Sequence, residues 1–446
     1  WMGPGRTVQV PDWLRSILAD QLDTAVPGAE LEFSGLRVGL GSDWQVFVAL
    51  RDVELRGRGG VPMAEAGSLR MQITPLALMR GRAGISDVQM SDIALAVRRD
   101  TDGRLALAFE EALAAGGTMP DLTQLIAALD GVLTSAHLAT LRSVEVDAVT
   151  LRYEDYRANR AWTADGGRLS LARDLGSGAL SLRGDFAVLT GGSGVATVAM
   201  TAASVVGQND VTLSIAVADV PSEQIATQSA ALAWLGAVRA PISGSFRAHL
   251  RPNGHLGPLN GTLQAGQGVV QPDPGARPIP FDAARSYVTY DPDTGGLRFD
   301  ELSVQADWGR VRIVGQASLE GYGTELAPLG TEPDALPLNI MPSNALPDTL
   351  SGQFRVSELS LNPNALFDAP LTLTRGAEVD LHLALNPFTL RLGRIWVDDD
   401  RLPLHASGVV RADPSGWTVS LDGRVDQIDA QDVLSFWPPE FQAKPR

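Results

Sequence analysis

"GISDVQMSDIALAVRRDTDGRLALAFE", residues 84–110, decides the fold class. Its large apolar residues Ile93, Leu95 and Val97, then Leu105, Leu107 and Phe109 beyond an Asp-Gly turn, recur at every second position, which is the period of a strand with one buried face. The two runs predict an antiparallel hairpin. The positions between them hold Ala94, Ala96, Ala106 and Ala108 instead of charged residues, so neither face is built for full solvation. An antiparallel sheet with one wet face does not need that. The stretch therefore asks what covers the second face.

The same texture continues along the chain. "GALSLRGDFAVLTG" (178–191), "DVTLSIAVADV" (210–220), "AEVDLHLALNPFTLRLGRIWV" (377–397) and "LPLHASGVVRADPSGWTVSLDGRV" (402–425) all alternate between Gly or Asp turn signals. With strands of usual length this is a mainly β chain of roughly 20 strands or more. The pattern predicts an elongated, twisted, largely antiparallel sheet. Three stretches have helical spacing instead. Residues 12–26 place Leu14, Ile17, Leu18, Leu22 and Val26 on one side behind Asp12, and residues 121–141 carry a capping box at Asp121 and Gln124 with Leu122, Leu125, Ile126, Leu129, Val132 and Leu133 as the stripe. A third helix is expected over 222–237 with Ser222 as its cap. Residues 271–280 and 321–350, rich in proline and polar residues, read as long surface loops or as a boundary between β modules.

Composition narrows the function classes. The 446 residues include 36 basic against 52 acidic side chains, a net charge of -16, which repels a phosphate backbone, so nucleic acid is not an expected partner. There is no cysteine, which excludes disulfides, thiolate metal sites and cysteine nucleophiles. No run of about 18 apolar residues is present to span a bilayer as a helix.

The catalytic inventory is thin. His137, His249, His255, His382 and His405 stand singly, without the spacing that would bring two ligands to one metal. "GGSGV" at 191–195 lacks the second glycine of a nucleophile elbow and sits between strands, so it reads as a hairpin turn. "DPDTGG" at 291–296 lacks the glutamate that completes a calcium loop and reads as a plain turn. Asp398, Asp399 and Asp400 read as a solvated turn. No catalytic residue, metal or cofactor is expected.

A longer order of motifs surrounds the opening stretch: a helix ending in Pro27-Gly28, then Leu50, Asp52, Val53 and Leu55, then Pro75, Leu76, Leu78 and Gly81, then Arg99, Asp100, Asp102 and Gly103. This order resembles the N-terminal segment of the AsmA-like superfamily, and within it the YhdP-type proteins. "DVPSEQIA" at 219–226, "WLGAVRAPISGSFRAHL" at 234–250 and "DAQDVLSFWPPEF" at 429–441 are similar to their central region. Met79 stands where the pattern has a leucine.

The resemblance implies a sheet curled into a groove with an apolar concave side, a few short covering helices, and non-enzymatic phospholipid transport between the inner and outer membranes. It also implies a periplasmic location, with an inner-membrane anchor preceding Trp1. In that reading 1–28 is a juxtamembrane amphipathic helix, 29–240 the N-terminal β-groove region and 241–446 its continuation. The partners would be phospholipid acyl chains, the inner membrane and outer-membrane components. The groove candidates are Ile93, Leu95, Val97, Leu105, Leu107 and Phe109 on the hairpin, with Val211, Leu213, Ile215 and Val217 on a later strand. From the pattern alone, alternate large residues suit a sheet core more often than a ligand wall, and the resemblance reverses that order. The alternative is a periplasmic scaffold or outer-membrane assembly factor whose β core is filled by its own side chains; a glycan-active enzyme is weaker, for want of paired carboxylates in a recognisable setting.

Overall fold

The computed structural model describes residues 7–9, 29–41, 45–57, 62–74, 84–99, 105–109, 130–131, 133–134, 138–156, 160–189, 195–208, 210–227, 230–251, 257–320, 349–362, 370–373, 375–397 and 403–425. The fold is mainly β, 75% strand and 6% helix, twisted, mostly antiparallel and not closed into a barrel. Contacts divide the chain into two units. The first is residues 1–215 with 249–255, and the second is 216–248 with 256–446.

The first unit contains β1 (Thr7–Gln9), β2 (Ala29–Glu32), β3 (Gly35–Leu40), β4 (Val46–Gly57), β5 (Pro62–Ile73), β6 (Ile85–Arg99), β7 (Leu105–Phe109), β8 (Ser143–Asp155), β9 (Arg160–Arg173), β10 (Ala179–Leu189) and β11 (Val195–Val205). β12 (Val211–Pro221) straddles the division. Consecutive strands pair antiparallel from β3 to β7 and from β8 to β11, β1 and β2 pair antiparallel with β3 and β4, and β6 and β8 run parallel. Parallel neighbours need a crossover of a dozen or more residues, and the chain between them supplies one. Part of that crossover lies over the sheet. Leu133 and Leu141, 1% and 4% exposed, pack into one core cluster with Val146, Val149, Leu36 and Leu50.

Four adjacent strands of this unit share a device that strict alternation does not announce. On β6 the inward residues are Val88 and Met90, then Ile93, Leu95 and Val97; on β8 they are Val144 and Val146, then Val149, Leu151 and Tyr153. The parity changes at Asp92 and Ala148, the two residues skipped between the Ser91–Asp147 and Ile93–Val149 pairs, which hold φ of 59° and 53°. β4 makes the same change at Asp52, φ 45°, between Leu50 and Val53, opposite Gly67 of β5. A left-handed residue inside a strand bends it and lets one residue be skipped, and aspartate tolerates that conformation better than most. Gly67 leaves the room: a Cβ there would stand 2.7 Å from the Asp92 carboxylate. Because neighbouring strands skip together, register and the apolar face both survive the crease.

The second unit contains a short helix α1 (Ser222–Ala226), a 3-10 helix (Ala230–Ala237), β13 (Val238–Arg239), β14 (Pro241–Leu250), β15 (Leu259–Ala265), β16 (Gly268–Val270), β17 (Ile279–Phe281), β18 (Ala283–Asp291), β19 (Gly296–Ala306), β20 (Gly309–Glu320), β21 (Thr349–Leu361), β22 (Leu371–Thr372), β23 (Ala377–Leu385), β24 (Phe388–Val397), β25 (Leu404–Asp413) and β26 (Gly416–Val425). Antiparallel pairing carries the sheet from β14 through β15, β18, β19, β20, β21, β23, β24 and β25 to β26. β13, β16 and β17 form a separate small sheet, so residues 271–278 close a hairpin of it and 279–280 begin its second strand.

Two sequence expectations change here. The helix over 222–237 is broken into two short pieces, because Ala231, Leu232, Ala233, Leu235 and Ala237 are all buried and the segment has no polar side to present to water. Ser222 does not cap α1: its Oγ donates to the Val238 carbonyl and accepts from the Ala240 amide, tying α1 to the strand that follows. The helix read over 121–141 is helical at 130–131 and 133–134 and gives way to a turn at 138–140; the rest of it, like the helix at 12–26, lies outside the described residues. So do most of residues 321–350.

Candidate apolar binding face

Residues directly opposite in a sheet share a face, so register assembles rows of side chains. In the second unit one row runs Leu319, Leu350, Leu383, Leu390, Val410, Val419, and the next runs Leu297, Ala317, Gly352, Leu381, Leu392, Gly408, Leu421. The alternate rows on the other side of the same strands are polar: Arg298, Gln316, Gln353, Asp380 and Arg394, and Ser318, Ser351, His382 and Arg391. Strand alternation has thus separated one apolar surface from one wet surface.

Among the described residues the cover over this apolar face stops partway. Ala231 and Trp234 of the 3-10 helix pack over Val288, Tyr290, Leu297 and Phe299, with the Trp234 and Phe299 rings edge to face at 6.3 Å. Leu381 and Leu383 join this cluster only as half-buried residues. Further along, Leu390, Leu392 and Val410 are half-buried, and Val419 and Leu421 on β26 are 58% and 59% exposed.

In the first unit the corresponding face is filled. Val149 is 0% exposed, and Leu133, Leu138 and Leu141 of the crossover pack over the rows of β8 and β9. The face ends in polar groups: Arg99 pairs with buried Asp155 at 3.6 Å, and the Tyr153 hydroxyl lies 3.3 Å from the same carboxylate. Burial and that neighbouring carboxylate push the Tyr153 phenol up to about 12. Tyr153 also packs on Trp162, with ring centroids 5.3 Å apart.

The hairpin that opened the sequence reading forms, with Leu95 opposite Phe109, Val97 opposite Leu107 and Arg99 opposite Leu105. Ile93 is buried in the first unit's core, Leu95 is half-buried against it, Val97 is half-buried and Phe109 is exposed. On β12, Val211 is buried, Leu213 and Val217 are half-buried and Ile215 is exposed. The second face of β6 is screened by side chains of its neighbour: Ala96 lies beside Arg152 and is buried, while Arg98 bonds Glu154 at 3.1 Å and stacks 4.9 Å from the Tyr156 ring. Long arginine stems cover apolar surface while their heads stay wet, so no further layer is required there.

The most exposed apolar rows, on β23 to β26, were not among the sequence candidates. Their signal is the alternation in 377–392 and 404–421, as regular as that of the hairpin. A depression of about 720 Å³ opens on the opposite, polar face around Arg298, Gln316, Gln353 and Asp380. Arg298 and Asp380 are there engaged with Asp300 and Arg394, each at 3.1 Å, and the hydroxyl of Ser351, also in its lining, lies 2.8 Å from His382 Nδ1 on the neighbouring strand. "DPDTGG" is the β18–β19 turn, with the Asp291 carboxylate accepting the Asp293 amide at 3.0 Å. Among the described residues no helix is long and apolar enough to cross a membrane, and no group of three His, Asp or Glu residues is placed to hold a metal ion. Comparison with protein-family models, with curated proteins and with solved structures finds no match.

Proposed function

We propose that this chain is a non-enzymatic carrier or shield for phospholipid acyl chains, working in the periplasm between the inner and outer membranes of a Gram-negative-type bacterium. In this reading a membrane anchor lies outside the given sequence, and the order of AsmA-like, YhdP-type motifs supplies the cellular setting. The observation that carries the reading is the uninterrupted apolar face of β19 to β26, backed by a polar face and left open toward Val419 and Leu421. Each CH₂ of an acyl chain removed from water there contributes about 0.8 kcal/mol, while headgroups stay solvated. Such contacts read chain length and not chemical detail, so selectivity among acyl chains would be loose.

The filled face of the first unit favours a second reading, a periplasmic scaffold or outer-membrane assembly factor with a self-filled core. Native mass spectrometry of gently extracted protein separates the two. Co-purifying phospholipid in near-stoichiometric amount is expected; a lipid-free protein would sink the carrier reading and leave the scaffold.

A further inference from the structure

On β3 to β5 of the first unit, three arginines stand on the face that turns away from the core. Arg37 lies between Leu36 and Val38, Arg51 follows Leu50, and Arg70 lies between Leu69 and Met71, all members of the core cluster, so alternation sends the three guanidiniums outward. Register gathers them. Ala49 sits opposite Arg37 on one side and Arg70 on the other, and Arg51 is the next residue of β4 on that face. Other arginines of this unit are neutralised: Arg56, Arg98, Arg142, Arg168 and Arg183 each pair with a carboxylate. Among the described residues, Arg37, Arg51 and Arg70 pair with none. The acids of these strands, Asp52, Glu54 and Glu65, stand at the crease or beyond it, with Asp52 accepting the Ser34 hydroxyl and Glu54 engaged by Arg56. In a chain of net charge -16 this is a local excess of positive charge.

The three charges do not converge on a point. The Arg70 guanidinium lies over the Phe47 ring, 3.9 Å from its centroid, which seats it on the row of Phe47. Arg51 comes four residues further along β4, about 13 Å at the usual rise per residue. Arg37 is two strands from Arg70, about 10 Å across the sheet. A single phosphate is too small for that spread, whereas a surface presenting many phosphates can meet each arginine separately. We infer that this face docks on an anionic phospholipid surface, with Arg37, Arg51 and Arg70 each taking a headgroup phosphate. A guanidinium fork matches phosphate oxygens, and Gly35, Ala49 and Ser68 beside the arginines are short, which lets a flat surface approach. The inference goes beyond the carrier reading, since docking requires no acyl chain on any apolar face.

The test uses the full chain and flotation with vesicles of phosphatidylcholine, with and without phosphatidylglycerol. Binding is expected on the vesicles that contain phosphatidylglycerol, weakening as salt is added. Each of Arg37→Gln, Arg51→Gln and Arg70→Gln should weaken it about fivefold and the triple variant about a hundredfold. Arg168→Gln, an equal change in net charge at a paired site, should leave it within about twofold. If Arg70→Gln does not fold without its seat on Phe47, the exposed pair Arg37→Gln and Arg51→Gln serves, with a loss of about 25-fold expected. Undiminished binding by these variants, equal binding to both kinds of vesicle, or displacement by inorganic phosphate beyond that by chloride at the same ionic strength would overturn the inference. Because the chain has no cysteine, a photocrosslinker on Ala49→Cys reports the occupant directly: lipid is expected, and capture of a second copy of the chain instead would also overturn it. A photoactivatable palmitic acid bearing a diazirine, mapped by mass spectrometry, tests the carrier reading separately. Label on 377–425 is expected in the unaltered protein and the triple variant alike, and its absence from both would overturn that reading while the docking stood.

Discussion

The two units write the same alternation into their strands and finish it differently. In the first, a crossover demanded by one parallel strand pair lays Leu133 and Leu141 over the apolar rows, and Val149 loses all contact with solvent. In the second, Ala231 and Trp234 of the 3-10 helix join the cluster of β18 to β21, and among the described residues the rows running out to β26 end exposed at Val419 and Leu421. The strands do not decide whether an apolar face becomes core or binding surface. The connections do, because they either bring leucines over the face or leave it open.

A charge placed in the filled face should break the comparison most sharply. Val149→Asp buries an unpaired carboxylate, and the first unit is expected to lose about 4 kcal/mol or more, read as collapse of its cooperative unfolding transition. Leu133→Ala removes the covering side chain and leaves a cavity, at a cost of about 3 kcal/mol by denaturant titration. Next comes the crease: Asp92→Val forces a β-branched residue to φ 59° and should cost about 2 kcal/mol, whereas Asp92→Gly should be tolerated. Equal stability of those two variants would show that the left-handed residue is not what sets the bend.

A smaller effect depends on pH. Burial pushes the Asp87 carboxyl up, but the Ser86 and Ser143 hydroxyls and the Arg142 guanidinium outweigh it and hold the group below its ordinary value of 3.8. A carboxylate lowered in the folded state adds stability above its unfolded pKa and loses it as pH falls through the folded one. Unfolding followed from pH 6 down to pH 2 should therefore show a contribution of about 1 kcal/mol fading below roughly pH 4 in the native protein and missing in Asp87→Asn. The smallest stability change is expected at the open end. Leu421→Asp, on a side chain already 59% exposed, should shift unfolding by no more than about 0.5 kcal/mol yet reduce acyl labelling of 404–425. A large loss of stability there would mean that the second unit's face is also core.

Period-2 alternation made the strands legible in the sequence, and the Asp-Gly and Gly signals marked their turns. The hairpin of Leu95 and Phe109 and the β18–β19 turn at 291–296 follow from those signals alone. The parity changes were less visible. "SVEVDAVTLRYED" reads as two short alternating runs out of phase, and only the joint skip of Ala148 and Asp92, between the Ser91–Asp147 and Ile93–Val149 pairs, makes one strand of them. On β24 the run slips at Gly393 and Arg394 between Leu392 and Ile395, which sends Trp396 to the polar face beside His405. The broken helix at 222–237 was hidden for another reason: apolar residues on every side carry no period to read. Nor does alternation say which of two apolar faces will be covered, since that depends on where a crossover lands, a matter of topology.

The line through Asp52, Gly67, Asp92 and Ala148 also governs how such a protein can change length. Deleting one residue from a single strand on either side of that line would turn half of the strand inside out while its neighbours stayed in phase. Changes in strand length must then arrive together in several strands, whereas a whole hairpin can be added at an edge without disturbing any partner. The number of strands is the free variable, and the breadth of the apolar face is the inherited one. A lineage built on this plan would vary in reach far more readily than in gauge.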